Sequence, residues 1–117
     1  MKNEFDKAVA NLRQDPTFSA AYDRQALIIG IAQMIRQWRK DVDLTQVQLA
    51  ERLNMHQTAI SRLESSENDS IPSIKTLRDI AHACEKQLLL SAVSIENSAD
   101  IVNKTNLEVQ QDKVLAI

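Results

Sequence analysis

Residues 44–65 read LTQVQLAERLNMHQTAISRLES, two short amphipathic helices with almost nothing between them. Thr45, followed three residues later by Gln48, is a capping box, so a helix starts at Gln46 with Val47, Leu49, Ala50 and Leu53 as its apolar positions. Asn54 ends it, because asparagine is one of the few residues besides glycine that tolerates a left-handed backbone, and Met55 turns inward. A second helix opens near His56 or Gln57. In it Ile60 and Leu63 point to a core and Ala59 is small, while Gln57, Thr58, Ser61 and Arg62 occupy the other side. That face is polar yet nearly free of acid. Two short helices meeting steeply need a small residue in the first, a left-handed turn between them and large apolar residues on the second. Ala50, Asn54, and Ile60 with Leu63 fill those roles in order.

The rest of the chain bounds what this pair of helices can belong to. The 117 residues allow one small domain with arms, and a composition with one glycine, two prolines and abundant Ala, Leu, Ile, Gln, Arg and Glu favours helix. No apolar run approaches the roughly 20 residues that span a bilayer, and MKNEFDKAVA (1–10) has acids where a signal peptide carries its apolar segment. A cytoplasmic protein with no membrane partner is expected. Cys84 is the single cysteine and falls on the apolar side of a predicted helix, as a buried structural thiol would. The two histidines have no ligand-spaced neighbours, so neither a metal nor any other cofactor is expected. No Ser/His/Asp arrangement, apolar-set carboxylate pair or phosphate-cradling glycine loop is present, which argues against an enzyme.

Charge is informative by region. Fourteen basic against sixteen acidic residues give a formal −2, and residues 96–117 carry that whole excess through Glu96, Asp100, Glu108 and Asp112 against Lys104 and Lys113. Residues 22–86 hold nine of each sign, so any affinity for nucleic acid must come from placement of charge and not from bulk basicity.

Upstream, EFDKAVANLRQ (4–14) spaces Phe5, Val9 and Leu12 as a short amphipathic helix. Asp15-Pro16 then pairs an N-cap with a residue suited to the first helical position. The helix that follows includes YDRQALIIGIAQMIRQWRK (22–40), with Leu27, Ile31, Met34 and Trp38 on one stripe and Ile28, Ala32 and Ile35 on the next. So wide a stripe serves either the core alone or the core and a second subunit. Gly30 within it marks a kink or a close contact. Downstream, Ser73 caps a helix that buries Ile74, Leu77, Ile80, Ala81 and Cys84, and QLLLSAVSI (87–95) is short and aliphatic, as a strand is. One strand is not stable alone, so it either pairs with its twofold mate in a second subunit or lies against its own helices.

On these residues the chain resembles the helix-turn-helix of the Cro/repressor (XRE-like) family. Residues 44–65 are similar to that family's signature over their whole length, and the likeness spans residues 25–86, taking in IRQWRKDVD (35–43) and IPSIKTLRDIAHAC (71–84). The resemblance implies an all-α fold, a five-helix lambda-repressor-like helix-turn-helix domain. Around it the sequence places an N-terminal helical extension (1–24), a short C-terminal β-strand (87–95) and an acidic, flexible tail (96–117). The family pattern puts Gln57, Thr58, Ser61 and Arg62 in the major groove and Gln46 on a phosphate, and makes His56 a helix cap or a phosphate contact. Arg62 can reach guanine bidentately and Gln57 can pair with adenine. Arg39 and Glu64 match a family salt bridge with a structural role. Double-stranded DNA with a palindromic operator and a homodimeric protein are the implied partners.

The chain also departs from that pattern. Asp43 and Asn54 stand where the family often has glycine, and both can adopt the backbone required at some strain. The loop SSENDSIPS (65–73) carries Glu67 and Asp69, which repel a phosphate backbone, where relatives commonly carry Lys or Arg. Arg36, Lys40, Arg52 and Lys75 are the cations available to offset them.

DPTFSAAYD (15–23) is further similar to the lead-in of HigA-type antitoxins of bacterial toxin–antitoxin pairs. That resemblance implies a repressor that also blocks a small RNase toxin of the RelE/HigB type. The helix of Phe5, Val9 and Leu12, or the tail NSADIVNKTNLEVQQDKVLAI (97–117), would then cover the toxin's basic surface. Two functions follow: a dimeric repressor that reads DNA, and a protein-neutralising module with little DNA binding of its own. A polar helix face taken singly is better read as plain solvation than as a ligand site. The coupling of cap, left-handed turn and acid-poor face favours nucleic acid.

Overall fold

A computed structural model describes residues 4–12, 14–95 and 113–117. Its longest element is fixed at its start by Asp15, whose side chain accepts from the backbone N–H of Thr17 at 2.9 Å and of Phe18 at 3.2 Å. Pro16 takes the first helical position, and helix α2 runs from there through Asp41. A shorter helix, α1 (Glu4–Leu12), precedes it. The expected boundary between residues 24 and 25 falls inside α2, which continues across it. Gly30 makes no close contact, since a Cβ there would meet no atom within 4 Å.

Three helices follow: α3 (Gln46–Leu53), α4 (Gln57–Leu63) and α5 (Ile74–Ala83). Ser73 caps α5 by accepting from Thr76 N–H at 3.1 Å. The described residues therefore hold five helices, in an all-α helix-turn-helix fold. The core takes Ile31 and Ile35 from α2, Leu49 and Ala50 from α3, Ile60 from α4, and Ile80 with Cys84 from α5 and its end. Trp38, Val42, Leu44, Leu53, Met55, Leu63 and Leu77 pack around this centre. Each fully buried Ile or Leu contributes about 2 kcal/mol of transfer free energy, so Ile35, Leu49, Ile60 and Ile80 anchor one helix apiece. Leu27 and Met34 of the wide stripe remain substantially exposed, at 51% and 36%.

The strand expected in residues 87–95 exists as β1 (Leu89–Ser91), and its partner among the described residues is another segment of the same chain and not a helix. It pairs antiparallel with β2 (Val114–Ala116) of the same chain, in the register Leu89 with Ala116, Leu90 with Leu115 and Ser91 with Val114. The physical reason is proximity: a tethered aliphatic segment competes at a higher effective concentration than a second copy does. Ile117 completes the closure, its N–H donating to Leu88 O at 2.9 Å and its carbonyl accepting from Gln87 Nε2 at 2.7 Å. The end of the acidic tail is thus ordered in a sheet; Ile101, Val102, Leu107 and Val109 lie outside the described residues.

Candidate nucleic-acid interface

The turn between α3 and α4 determines how the polar face is presented. At the start of α3, Thr45 Oγ1 accepts from Gln48 N–H at 3.1 Å while Gln48 Oε1 accepts from Thr45 N–H at 2.8 Å, the reciprocal pair of a capping box. At its end Asn54 adopts the left-handed conformation, with φ 53°, and Met55 N–H donates back to Ala50 O at 2.9 Å. Asp43 also lies in the left-handed region, at φ 56°, as does Glu85 at φ 61°. Glu85 reaches that conformation with no asparagine or glycine to signal it. Leu49, Ala50 and Ile60, all buried, then lock the two helices together.

His56 occupies the N-cap position of α4 but its side chain makes no capping hydrogen bond. From there Gln57, Thr58, Ser61 and Arg62 project to solvent on one side of α4. They line one open concavity of about 470 Å³ together with Ser65, Glu67, Asn68 and Asp69 of the following loop.

Behind that face sits a buried ion pair. Arg39 Nε and Nη2 donate to the two oxygens of Glu64 at 2.7 and 2.8 Å, with Glu64 only 4% exposed. The carboxylate holds the Arg39 guanidinium above its ordinary pKa, chiefly through that hydrogen bond. Arg39 Nη1 also donates to Leu44 O at 2.8 Å, tying the end of α2 to the start of α3. The network reaches the surface by two glutamines: Gln46 Nε2 donates to Glu64 Oε1 at 3.3 Å, and Gln57 Nε2 donates to Gln46 Oε1 at 2.7 Å. Gln46, Gln57, Arg39 and Glu64 are thereby one connected unit, while Thr58, Ser61 and Arg62 stand outside it.

The acidic loop is held by Gln25 and Arg24, which sequence reasoning left without a role, and its approach by Arg36, expected only as an offsetting cation. Gln25 Nε2 donates to Ser66 O at 2.8 Å, Arg36 Nη2 to Glu64 O at 2.6 Å, and Arg24 Nη2 to Asp69 O. Inside the loop Asn68, 7% exposed, donates to Ser70 O at 2.9 Å and accepts from the Ser70 hydroxyl at 3.1 Å. A signal existed in the sequence: Gln25 and Arg36 lie at helical spacing with Ile28 and Ala32, both of them buried. Polar residues in line with a buried stripe mark a partner segment with backbone groups to satisfy.

The same geometry fixes where most of the cations expected to offset Glu67 and Asp69 point, and neutralises one of them, Lys75. Arg36 is committed to Glu64 O, Arg52 Nη1 donates to Ala83 O at 2.9 Å, and Lys75 pairs with Asp79 at 2.8 Å. Lys40 is exposed and has no ion pair among the described residues. No helix is long and apolar enough to cross a membrane among the described residues.

No curated protein and no solved structure matches this chain. A family model described as Helix-turn-helix matches residues 35–90, from the last turns of α2 through the first residues of β1. With the capped α3, the left-handed turn and the outward face of α4 in place, residues 35–90 have the fold of a helix-turn-helix and are similar to that family.

Proposed function

We propose that the protein is a sequence-specific DNA-binding repressor that acts as a homodimer on a palindromic operator, with α4 as its reading helix. The observation that carries this reading is the exposed set Thr58, Ser61 and Arg62 on a helix whose back is fixed by the Arg39–Glu64 pair and the Gln46–Gln57 bridge. Rigid support behind exposed hydrogen-bonding groups is what base readout requires, because flexible side chains lose entropy on docking. Gln46 and His56 sit at the starts of α3 and α4, where backbone N–H groups suit a phosphate. Dimerisation is supported by Leu89, Leu90 and Leu115, exposed on a two-stranded sheet too small to be stable by itself.

The experiment is selection of source-genome DNA fragments by the purified protein at two salt concentrations, repeated with Arg62→Ala. The expected result is a palindrome that the variant no longer selects, with a loss of about 1–3 kcal/mol in specific binding and an affinity that falls steeply with salt. Recovery of nothing above background at low salt refutes the repressor reading.

A second reading has its own observation. Helix α1 buries no residue, with Phe5 74% and Leu12 50% exposed, and the first half of α2 adds exposed Tyr22 and Leu27. We propose this apolar surface as the contact for a protein partner, a toxin RNase of the RelE/HigB type, in an antitoxin that represses its own operon. Co-purification with the product of an adjacent gene tests it; no loss of that complex on Phe5→Asp/Leu12→Asp sinks it.

A further inference from the structure

We infer that the concavity beside α4 reads a G·C base pair from two sides, with Arg62 on the guanine edge and Glu67 accepting a hydrogen bond from the cytosine amino group. This rests on the proposed DNA-reading role of α4 and names the kind of base pair that the same site takes. Arg62, from α4, and Glu67, from the following loop, both line one concavity, and neither side chain makes a hydrogen bond or ion pair among the described residues. A guanidinium and a carboxylate that share a pocket without neutralising each other present donors from the helix and acceptors from the loop.

That pattern has a complement in the major groove. A G·C pair offers two acceptors on guanine, N7 and O6, followed by one donor, the cytosine N4 amino group. An A·T pair puts the thymine O4 acceptor where a carboxylate would meet it, so Glu67 would reject it.

The position of Glu67 is fixed. On one side Ser66 O accepts from Gln25 at 2.8 Å, on the other Asp69 O accepts from Arg24, and between them Asn68 is buried. The loop therefore cannot swing clear of DNA without breaking these bonds. A carboxylate held there and aimed at phosphates would weaken binding to every sequence, and Arg36, Arg52 and Lys75 are engaged elsewhere. Aimed at a base edge, it favours one sequence over the others. Glu67 is the carboxylate assigned because its side chain is one methylene longer than that of Asp69, whose own carbonyl is anchored to α2.

The test is selection from a random duplex library with the full chain, comparing wild type, Arg62→Ala, Glu67→Ala and Glu67→Gln. Glu67 is exposed, so its variants should fold, and helical circular dichroism checks this. Wild type should enrich a G·C pair at a fixed position. Glu67→Ala should keep the remaining positions but lower the G·C preference there about tenfold. Glu67→Gln, which keeps an acceptor, should retain most of it. If Glu67→Ala and Glu67→Gln instead tighten binding alike on all sequences, the loop acts by repulsion only and the inference fails. Unchanged selection by both variants also overturns it, while the DNA-reading role of α4 stands. A wild type that enriches nothing removes that role and this inference together.

Discussion

Replacing Arg39 by Met tests whether the buried ion pair holds α4 in place. Arg39 and Glu64 side chains are 14% and 3% exposed, so water can do little to solvate a carboxylate that loses its partner. In Arg39→Met the Glu64 oxygens keep one amide contact, from Gln46 at 3.3 Å. Stranding a buried charge in this way costs about 3–5 kcal/mol, and the lost bond to Leu44 O adds about 1 kcal/mol. A domain of this size is stable by about 5–15 kcal/mol, so the single variant should be close to unfolding. Adding Glu64→Leu removes the stranded charge. The double variant should recover about 2–4 kcal/mol, keeping a deficit from the unmade bonds to Leu44 O and Gln46. Urea unfolding followed by helical circular dichroism and by the fluorescence of Trp38, the single tryptophan, measures both. Should Arg39→Met cost under about 1 kcal/mol, as an exposed pair would, or should the double variant be no more stable than the single, the ion pair is not what joins α2 to α3 and α4.

Three further outcomes are expected. Gly30→Ala should raise stability by about 0.5–1 kcal/mol in the same urea assay, because the added methyl meets no neighbour and the unfolded chain loses freedom. Asn54→Ala should lose about 1–2 kcal/mol at the left-handed turn and Asn54→Gly should not, with unfolding midpoints as the readout. In acid, Asp41 and Asp79 carry carboxyl pKa values lowered from 3.8, Asp41 chiefly by the Gln37 hydrogen bond and then by Lys86, Asp79 chiefly by the Lys75 hydrogen bond. A lowered folded pKa means that their stabilisation is complete above the unfolded value and disappears as pH falls below 3.8 through the folded values. The combined Asp41→Asn/Asp79→Asn variant should therefore show a shallower loss of stability across that window in a pH series of thermal melts.

What could be read in the sequence is local. The capping box at Thr45 and Gln48, the N-cap at Asp15 and the left-handed turn at Asn54 each depend on residues within a few positions, where side-chain chemistry nearly dictates the backbone. The buried faces of α2 and α5 were legible only in part from helical period: Ile28, Ile31, Ala32, Ile35, Ile80 and Ala81 are buried, whereas Leu27, Met34 and Ile74, expected on the same faces, are exposed. Contacts across long separations were not legible. The pairing of β1 with β2 joins two three-residue runs 25 positions apart, Leu90 with Leu115, and neither run carries a register signal of its own. The hold of Arg24 and Gln25 on the 66–69 backbone links residues more than 40 positions apart, with no pattern beyond the alignment of Gln25 with a buried stripe. At the candidate interface, the placement of Gln57, Thr58, Ser61 and Arg62 on one helix face followed from period, but the loop that lines the concavity with them did not.

The loop anchors show why the helix-turn-helix match is smaller than the unit that would read DNA. The match begins at Ile35, so it includes Arg36 and its bond to Glu64 O but excludes Arg24 and Gln25. Those two residues sit three turns earlier in α2 and hold the loop that lines the concavity together with Arg62 and its neighbours. Helix α2 spans both because it is continuous from Pro16 to Asp41, a distance of about 39 Å at the rise of an α-helix. Its last turns support α3 and α4 through Arg39, and its middle positions the acidic loop. Shape and charge at the candidate interface therefore depend on an element whose first half buries only Ile28, and the reach of α2 back to Arg24 is explained by the loop that it holds.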